Sequence, residues 1–205
     1  IAQQVSPLIR RVIAENPSKF TYRGTGTYIV GHNAVAVIDP GPMLDSHREA
    51  LQRSLAGDRV VAIVVTHCHS DHSPLAQWLH ETTDAPTFAI GPHADSVIAG
   101  DGDDTDDNTD DAIDRNFVPT NAVTDGESII DTGEFALTVV STPGHTSNHM
   151  CVALGQERAL FTGDHVMGWS TTVVSPPDGD MRAYIESLRK VQQRGDDTLW
   201  PTHGG

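Results

Sequence analysis

The chain lacks most features that mark secreted and membrane proteins. It has only two cysteines, Cys68 and Cys151, in 205 residues, so no disulfide framework is indicated. No apolar run approaches the roughly 18 residues that a membrane helix needs. The first eleven residues also lack the basic-then-apolar pattern of a signal peptide. We therefore expect a cytoplasmic protein that does not enter a membrane.

Positive charge and aromatic side chains are also scarce. The chain carries 13 Lys and Arg against 28 Asp and Glu, a net charge of −15, and its aromatic content is 5%. Seven of the acidic residues lie in a predicted loop at residues 100–111 that does not fit the calcium-loop pattern. This balance disfavours attraction to phosphate backbones, whereas a groove for single-stranded RNA needs a basic, stacking surface.

A length of 205 residues suits one well-cored domain, and we expect residues 1–205 to form it. Strands open the chain and then alternate with helices, which predicts two packed β-sheets with helices outside, an α/β sandwich. The predicted strands are residues 20–30, 34–39, 60–65, 86–90, 126–131, 135–141, 150–154, 158–162 and 199–201, and the predicted helices are residues 45–56, 74–82, 91–99 and 180–193. Ser46 and Glu49 fit a capping box for the first helix.

The most informative stretch is residues 60–75. Its apolar run from Val60 to Val65 predicts a strand buried on both faces. Ser73 and Pro74 then resemble an N-cap and a first helical position, so a helix should follow. Such a turn is fixed by the strand and faces the free amide donors of a helix N-terminus. It contains four candidate metal ligands: His67, His69, Asp71 and His72.

Three further candidate ligands follow other predicted strands, each with a glycine nearby: His145, Asp164 and His203. Residues at the ends of several strands converge on one rim of a layered α/β fold. Asp39, at the end of its own predicted strand, faces the same rim. Five histidines and two aspartates exceed the four ligands of one tetrahedral ion. They suit two ions about 3.5–4 Å apart that share a carboxylate, and Asp164 is the expected bridge.

The pattern His67-x-His69-x-Asp71-His72, with the three later ligands at their separations, resembles the metallo-β-lactamase superfamily. The resemblance covers essentially the whole chain and implies a four-layer αββα sandwich. It implies two metal ions per chain, which we expect to be zinc. The resemblance also assigns each ligand to a metal. The first metal would be bound by His67, His69 and His145, and the second by Asp71, His72 and His203, with Asp164 as the bridge.

Details within the motif indicate which branch of the superfamily the chain resembles. Asp164 argues against the antibiotic-hydrolysing members, which lack this bridging aspartate, and His69 argues against the diiron flavoproteins, which carry glutamate there. Ser73-Pro74, the stretch from Pro143 to Met150 and residues 168–174 resemble the lactamase-β-like protein 2 branch. Members of that branch include a single-strand endoribonuclease. The branch normally has a small helical C-terminal domain, which we expect to be missing from this chain.

Together these features predict a dinuclear metal-dependent hydrolase. A hydroxide shared by the metals would cleave an ester, thioester or phosphodiester bond, with a small-molecule ester or thioester, or single-stranded RNA, as substrate. Asp71 would bind one metal, orient the nucleophile and carry a proton to the leaving group. Two other classes stay open: a mononuclear iron persulfide dioxygenase of the same superfamily and a non-catalytic metal-stabilised binding module. His149 and His165 are candidates for substrate or supporting contacts, and Cys68 is not assigned as a ligand.

Overall fold

The structure, a computed structural model, describes residues 2–93 and 113–204. Its first sheet contains seven strands: β1 Gln3–Ser6, β2 Ile9–Ile13, β3 Gly26–Val30, β4 Ala34–Ile38, β5 Arg59–Val64, β6 Thr87–Ala89 and β7 Asn121–Ala122. The strands lie in the order in which they occur along the chain. Pairing is antiparallel from β1 to β4 and parallel from β4 to β7.

The second sheet contains five strands: β8 Ser128–Asp131, β9 Ala136–Ser141, β10 Met150–Leu154, β11 Ala159–Gly163 and β12 Thr198–Pro201. Their order across the sheet is β12-β11-β10-β9-β8. All neighbours pair antiparallel except β11 and β12, which are parallel. A short 3₁₀ helix, Gly155–Glu157, connects β10 to β11.

Apolar side chains of the two sheets meet in a core between them, with Tyr28, Phe135 and Phe161 as its largest fully buried members. Two helices, α1 Asp45–Ser54 and α2 Leu75–Thr83, cover the other face of the first sheet. The third helix, α3 Met181–Arg194, covers the second sheet. The layers therefore follow the order helix, sheet, sheet, helix, which confirms the predicted αββα sandwich.

Several predicted boundaries are wrong. β1 and β2 are short and are absent from the predicted strands, and β1 has a single apolar residue, Val5. The strand predicted at residues 20–30 begins only at Gly26. The capping box is not formed, because α1 begins at Asp45 and no side chain caps it. Strand β5 is buried as predicted.

The start of α2 also differs from its prediction. Pro74 occupies the N-cap position, and the Ser73 hydroxyl donates instead to Asp114 Oδ2 at 2.7 Å. The predicted acidic loop and all but residues 91–93 of the predicted helix at 91–99 lie outside the described residues. In the part of the chain that the structure describes, no helix is long and apolar enough to cross a membrane.

Candidate metal centre

All seven predicted ligands come together at one end of the sandwich, each in a segment that follows a strand. Four of them follow β5, and one each follows β9, β11 and β12. Six of the seven are buried, and Asp71 is partly buried. Their donor atoms form three overlapping groups, each within 4.8 Å: His67, His69 and His145; His67, His72 and Asp164; Asp71, His72 and His203.

The first group consists of three imidazoles. His67 Nε2 lies 3.0 Å from His69 Nδ1, and His145 Nε2 lies 3.1 Å from the same His69 nitrogen. Three ring nitrogens at this separation surround a space that one small cation fits. Imidazole nitrogens are ordinary zinc ligands, and three of them leave a fourth, open position on a tetrahedral ion.

The group of Asp71, His72 and His203, called the second group from here on, combines a carboxylate with two imidazoles. Asp71 Oδ2 lies 3.1 Å from His203 Nε2 and 3.5 Å from His72 Nε2. His72 Nε2 is buried, and no group in the described part of the chain forms a hydrogen bond with it. A buried nitrogen without a partner is costly, so this atom fits a site that a cation completes.

Asp164 lies between the two groups and faces both. Its Oδ1 is 3.5 Å from His72 Nε2 and 3.3 Å from His203 Nε2, whereas its Oδ2 is 3.8 Å from His145 Nε2. Among the residues that the structure describes, none forms a hydrogen bond with the buried Oδ1. Each carboxylate oxygen therefore faces a different group of donor atoms.

Hydrogen bonds on the far side of three rings fix their tautomers. His145 Nδ1 donates to the Val173 carbonyl at 2.6 Å, and His72 Nδ1 donates to Asp39 Oδ2 at 2.9 Å. His67 Nδ1 lies 3.1 Å from Thr66 Oγ1, a hydroxyl whose proton goes to Asp39. These acceptors place a ring proton on each Nδ1, so Nε2 is the nitrogen of each ring that faces the centre and is available to a cation.

The Asp39 carboxylate connects two of the segments that carry the ligands, those after β5 and β12. Its Oδ1 accepts from the Thr66 backbone N–H at 2.8 Å, and its Oδ2 accepts from the hydroxyls of Thr66 and Thr202 at 2.9 and 3.0 Å, in addition to His72. Asp39 is 1% exposed. The sequence places it on the correct rim, but its hydrogen bonds were not predicted; an aspartate at the end of a buried strand, before Pro40-Gly41, was the available signal.

Other supporting contacts also lie beyond the predicted set. The Thr25 hydroxyl donates to Asp71 Oδ2 at 2.7 Å. Asp164 donates its backbone N–H to His149 Nε2 at 3.2 Å, so His149 holds the backbone of the bridging residue. His165 is buried against Tyr184, with ring centroids 5.0 Å apart.

The Cys68 thiol lies outside these three groups. It accepts a hydrogen bond from Asn148 Nδ2 at 3.1 Å, and burial raises its pKa to about 11. A thiol held protonated in this way is a poor metal ligand, because the thiolate is the form that binds metal. Its placement agrees with leaving it out of the predicted ligand set.

Burial dominates the electrostatics of the first group. It lowers the pKa of His67 well below the usual value, and the neighbouring His72 acts in the same direction. Burial and His145 lower the pKa of His69 to about 3. The rings of His67 and His69 are therefore neutral at physiological pH, which is the protonation state that binds a metal.

In the second group, nearby carboxylates raise the histidine pKa values by more than burial lowers them. Burial lowers the pKa of His203, but Asp164 and Asp71 outweigh it and raise that pKa to about 10. The pKa of His72 is likewise raised, mainly by Asp71. Burial raises the pKa of Asp71, but His72 and His203 lower it to about 2. Without a metal, protons hold the positive charge that the two carboxylates attract, and a cation would displace them. The donor set therefore fits divalent metal ions.

The comparison with known families agrees with this centre. A model of the metallo-beta-lactamase superfamily matches residues 22–203. The chain belongs to the metallo-β-lactamase superfamily. This confirms the predicted resemblance and the predicted fold. It is also the family expected of the predicted metallo-β-lactamase-like, metal-dependent hydrolase.

Individual relatives support the same assignment. The chain is 32% identical over 206 residues to an atrochrysone carboxyl ACP thioesterase of Aspergillus fumigatus, covering 98% of this chain and 57% of that protein. It is 29% identical over 220 residues to the beta-lactamase-like protein 2 homolog of Caenorhabditis elegans, covering 98% and 63%. The chain thus spans about three fifths of the length of these relatives. A metallo-beta-lactamase family protein from Thermus thermophilus shares the fold, with a TM-score of 0.76 at 22% identity over 98% of this chain and 75% of that one.

Proposed function

We propose that this chain is a dinuclear metal-dependent hydrolase that cleaves a thioester or a related ester. The position of Asp164 carries the proposal. Its two oxygens face two separate groups of donor atoms, at 3.3 Å from His203 Nε2 on one side and 3.8 Å from His145 Nε2 on the other. A single ion does not require the two oxygens of one carboxylate to face separate groups of donor atoms, whereas two ions that share one carboxylate do.

The substrate class follows from charge and from the relatives. A net charge of −15 opposes the approach of a polyanion such as single-stranded RNA. One relative is named as a thioesterase acting on an acyl carrier protein. A thioester or ester carbonyl is therefore favoured over a phosphodiester for this centre.

The residues of the centre have distinct roles in this hydrolysis. The cations, when bound, would lower the pKa of a water molecule and stabilise negative charge on the substrate carbonyl. Hydrolysis joins the water oxygen to the carbonyl carbon, breaks the carbon–sulfur bond and delivers one proton to the leaving thiolate. Asp71, ionised because its pKa is about 2, accepts a proton from the water and passes it on. The Thr25 hydroxyl keeps Asp71 Oδ2 in place for this transfer.

The experiment compares hydrolysis by the wild-type chain and by Asp71→Ala, each loaded with zinc. Substrates are acyl thioesters of N-acetylcysteamine, p-nitrophenyl esters and a single-stranded RNA. We expect thioester hydrolysis by the wild type and a loss of about 10²–10⁴-fold in kcat for Asp71→Ala, larger than its loss of bound metal. The exposed Asp45, in α1, provides the control variant Asp45→Asn.

Two results would overturn the proposal. Full turnover by Asp71→Ala at normal metal content would remove the role of Asp71. A zinc-loaded wild-type chain that hydrolyses RNA but none of the thioesters or esters would reject the substrate class.

A further inference from the structure

Two aromatic side chains stack on each other at the protein surface. The ring centroids of Tyr22 and Trp169 lie 5.2 Å apart and their planes differ by 18°, a geometry that aromatic stacking favours. Both residues are nevertheless well exposed, at 42% and 41%. These two residues are referred to below as the aromatic pair. An exposed surface of this kind often binds an apolar or planar ligand.

The backbone of Tyr22 is held in an unfavourable conformation. Its φ is +59°, in the left-handed region that bulky residues rarely adopt. The Ser18 carbonyl accepts from the Tyr22 N–H at 3.0 Å, and the Ser18 hydroxyl accepts from the N–H groups of Phe20 and Thr21 at 3.0 and 3.1 Å. A glycine would suit this turn better than tyrosine. The turn therefore does not explain why a tyrosine occupies this position. The turn fixes the Tyr22 backbone, and the stacking on Trp169 restricts the ring, before any ligand binds.

Both loops that carry the aromatic pair are anchored on the second group of the metal centre. Thr25, three residues after the tyrosine, donates to Asp71 Oδ2 at 2.7 Å. Gly168, directly before the tryptophan, donates its backbone N–H to the His203 carbonyl at 2.8 Å. A Cβ on Gly168 would lie 3.2 Å from the Gly204 Cα, so the two backbones are in direct contact. The aromatic pair thus lies beside the centre and is connected to two of its residues.

The guanidinium of Arg23 lies 5.6 Å from the centroid of the Tyr22 ring. This is within the distance of a cation–π contact. The contact restricts the tyrosine ring further and adds a positive group beside the aromatic pair, in a chain whose net charge is −15.

We propose that the aromatic pair is the surface that selects the acyl group of the substrate, and that it favours a planar aromatic acyl group. The inference rests on the proposed function, since it names which thioesters the centre cleaves. The two rings stack on each other and remain exposed, so a planar group can stack on the outer side of the pair, a gain that short aliphatic groups do not have. Because the rings are fixed before binding, little of that energy is lost in ordering them.

The test measures selectivity between the 2-naphthoyl and acetyl thioesters of N-acetylcysteamine. For Tyr22→Gly and for Trp169→Ala we expect the ratio of kcat/KM, naphthoyl over acetyl, to fall about three- to tenfold, mainly through KM. Tyr22→Phe should keep the ratio. Tyr22→Gly should melt at no lower temperature than the wild type, because it relieves the strained φ. Ile185→Ala removes an equally exposed apolar side chain, 41% exposed on α3, and should leave the ratio unchanged.

A binding measurement separates this inference from the proposed function. The amide analogue of the naphthoyl thioester is not a thioester substrate, and its binding is followed by calorimetry with the zinc-loaded chain. If no thioester is hydrolysed but the amide binds the wild type and binds Trp169→Ala at least threefold more weakly, the proposed function fails and the inference stands. If the amide does not bind the wild type, or if neither variant changes the selectivity ratio or amide binding, the inference is overturned.

Discussion

Replacing Asp39 by asparagine tests whether one buried carboxylate holds the metal centre together. Asp39 accepts four hydrogen bonds, one on Oδ1 from the Thr66 backbone and three on Oδ2 from Thr66, Thr202 and His72. Asparagine has one acceptor oxygen and one amide group. Whichever way its side chain turns, the amide faces at least one of these donors, and the remaining bonds lose the help of the negative charge.

The expected cost follows from this count. A hydrogen bond to a charged group contributes about 1.5–3 kcal/mol, and a neutral one about 1 kcal/mol. One lost bond and three weakened ones give a decrease of about 3–5 kcal/mol in the free energy of unfolding of the metal-free chain, in the range for a broken buried pair. The ring of His72 also loses the negative charge of the acceptor that fixes its tautomer, which should weaken cation binding at the second group about 10–100-fold.

The assay combines guanidinium unfolding of the metal-free chain with zinc titration against a chromophoric chelator. Asp45→Asn is the control; it removes an exposed carboxylate whose contact is a surface pair with Arg48 at 2.6 Å, and should cost less than about 1 kcal/mol. If Asp39→Asn binds its second zinc as tightly as the wild type and unfolds within about 0.5 kcal/mol of it, the orienting role of Asp39 is refuted.

Three further predictions concern the fold around the centre. Gly24→Ala, at φ +129° with a Cβ that would lie 1.9 Å from the Ala14 carbonyl oxygen, should lower the free energy of unfolding by about 2–4 kcal/mol in guanidinium titrations. Burial lowers the pKa of His47 to about 4 against about 6.5 in the unfolded chain. Its contribution is therefore complete above pH 6.5 and is lost as the pH falls to 4, so His47→Gln should remove about 3 kcal/mol of the pH dependence measured on metal-free protein. Asp180→Ala removes the side-chain cap of α3 on the Ala183 N–H and should lower the melting temperature through a loss of about 1 kcal/mol.

The sequence places the seven candidate ligands in segments that follow strands, and the reason is physical. A buried strand followed directly by His67, His69, Asp71 and His72 is a local pattern, and the later ligands repeat it at the ends of other strands. Such local patterns predict both the order of the layers and the location of the candidate metal centre. The rim on which the ligands converge then follows from the strand directions.

The contacts that orient the ligands could not be predicted in the same way. Thr25 and Asp71 are 46 positions apart, and Asp39 and Thr202 are 163 positions apart, so only the folded chain brings them together. The predicted N-cap of α2 is wrong for a related reason. Ser73 has the right chemistry for an N-cap, but a partner from a distant segment, Asp114, takes its hydroxyl.

The most direct test of a dinuclear centre is the metal content of the chain, measured by mass spectrometry after zinc loading and gel filtration. We expect two zinc ions per wild-type chain, and fewer than two for Asp164→Ala, which removes the carboxylate facing both groups. Two ions retained by Asp164→Ala would contradict the bridging role. A single ion per wild-type chain would contradict the dinuclear centre itself, and a single iron with oxygen uptake on a persulfide would instead support the persulfide dioxygenase alternative.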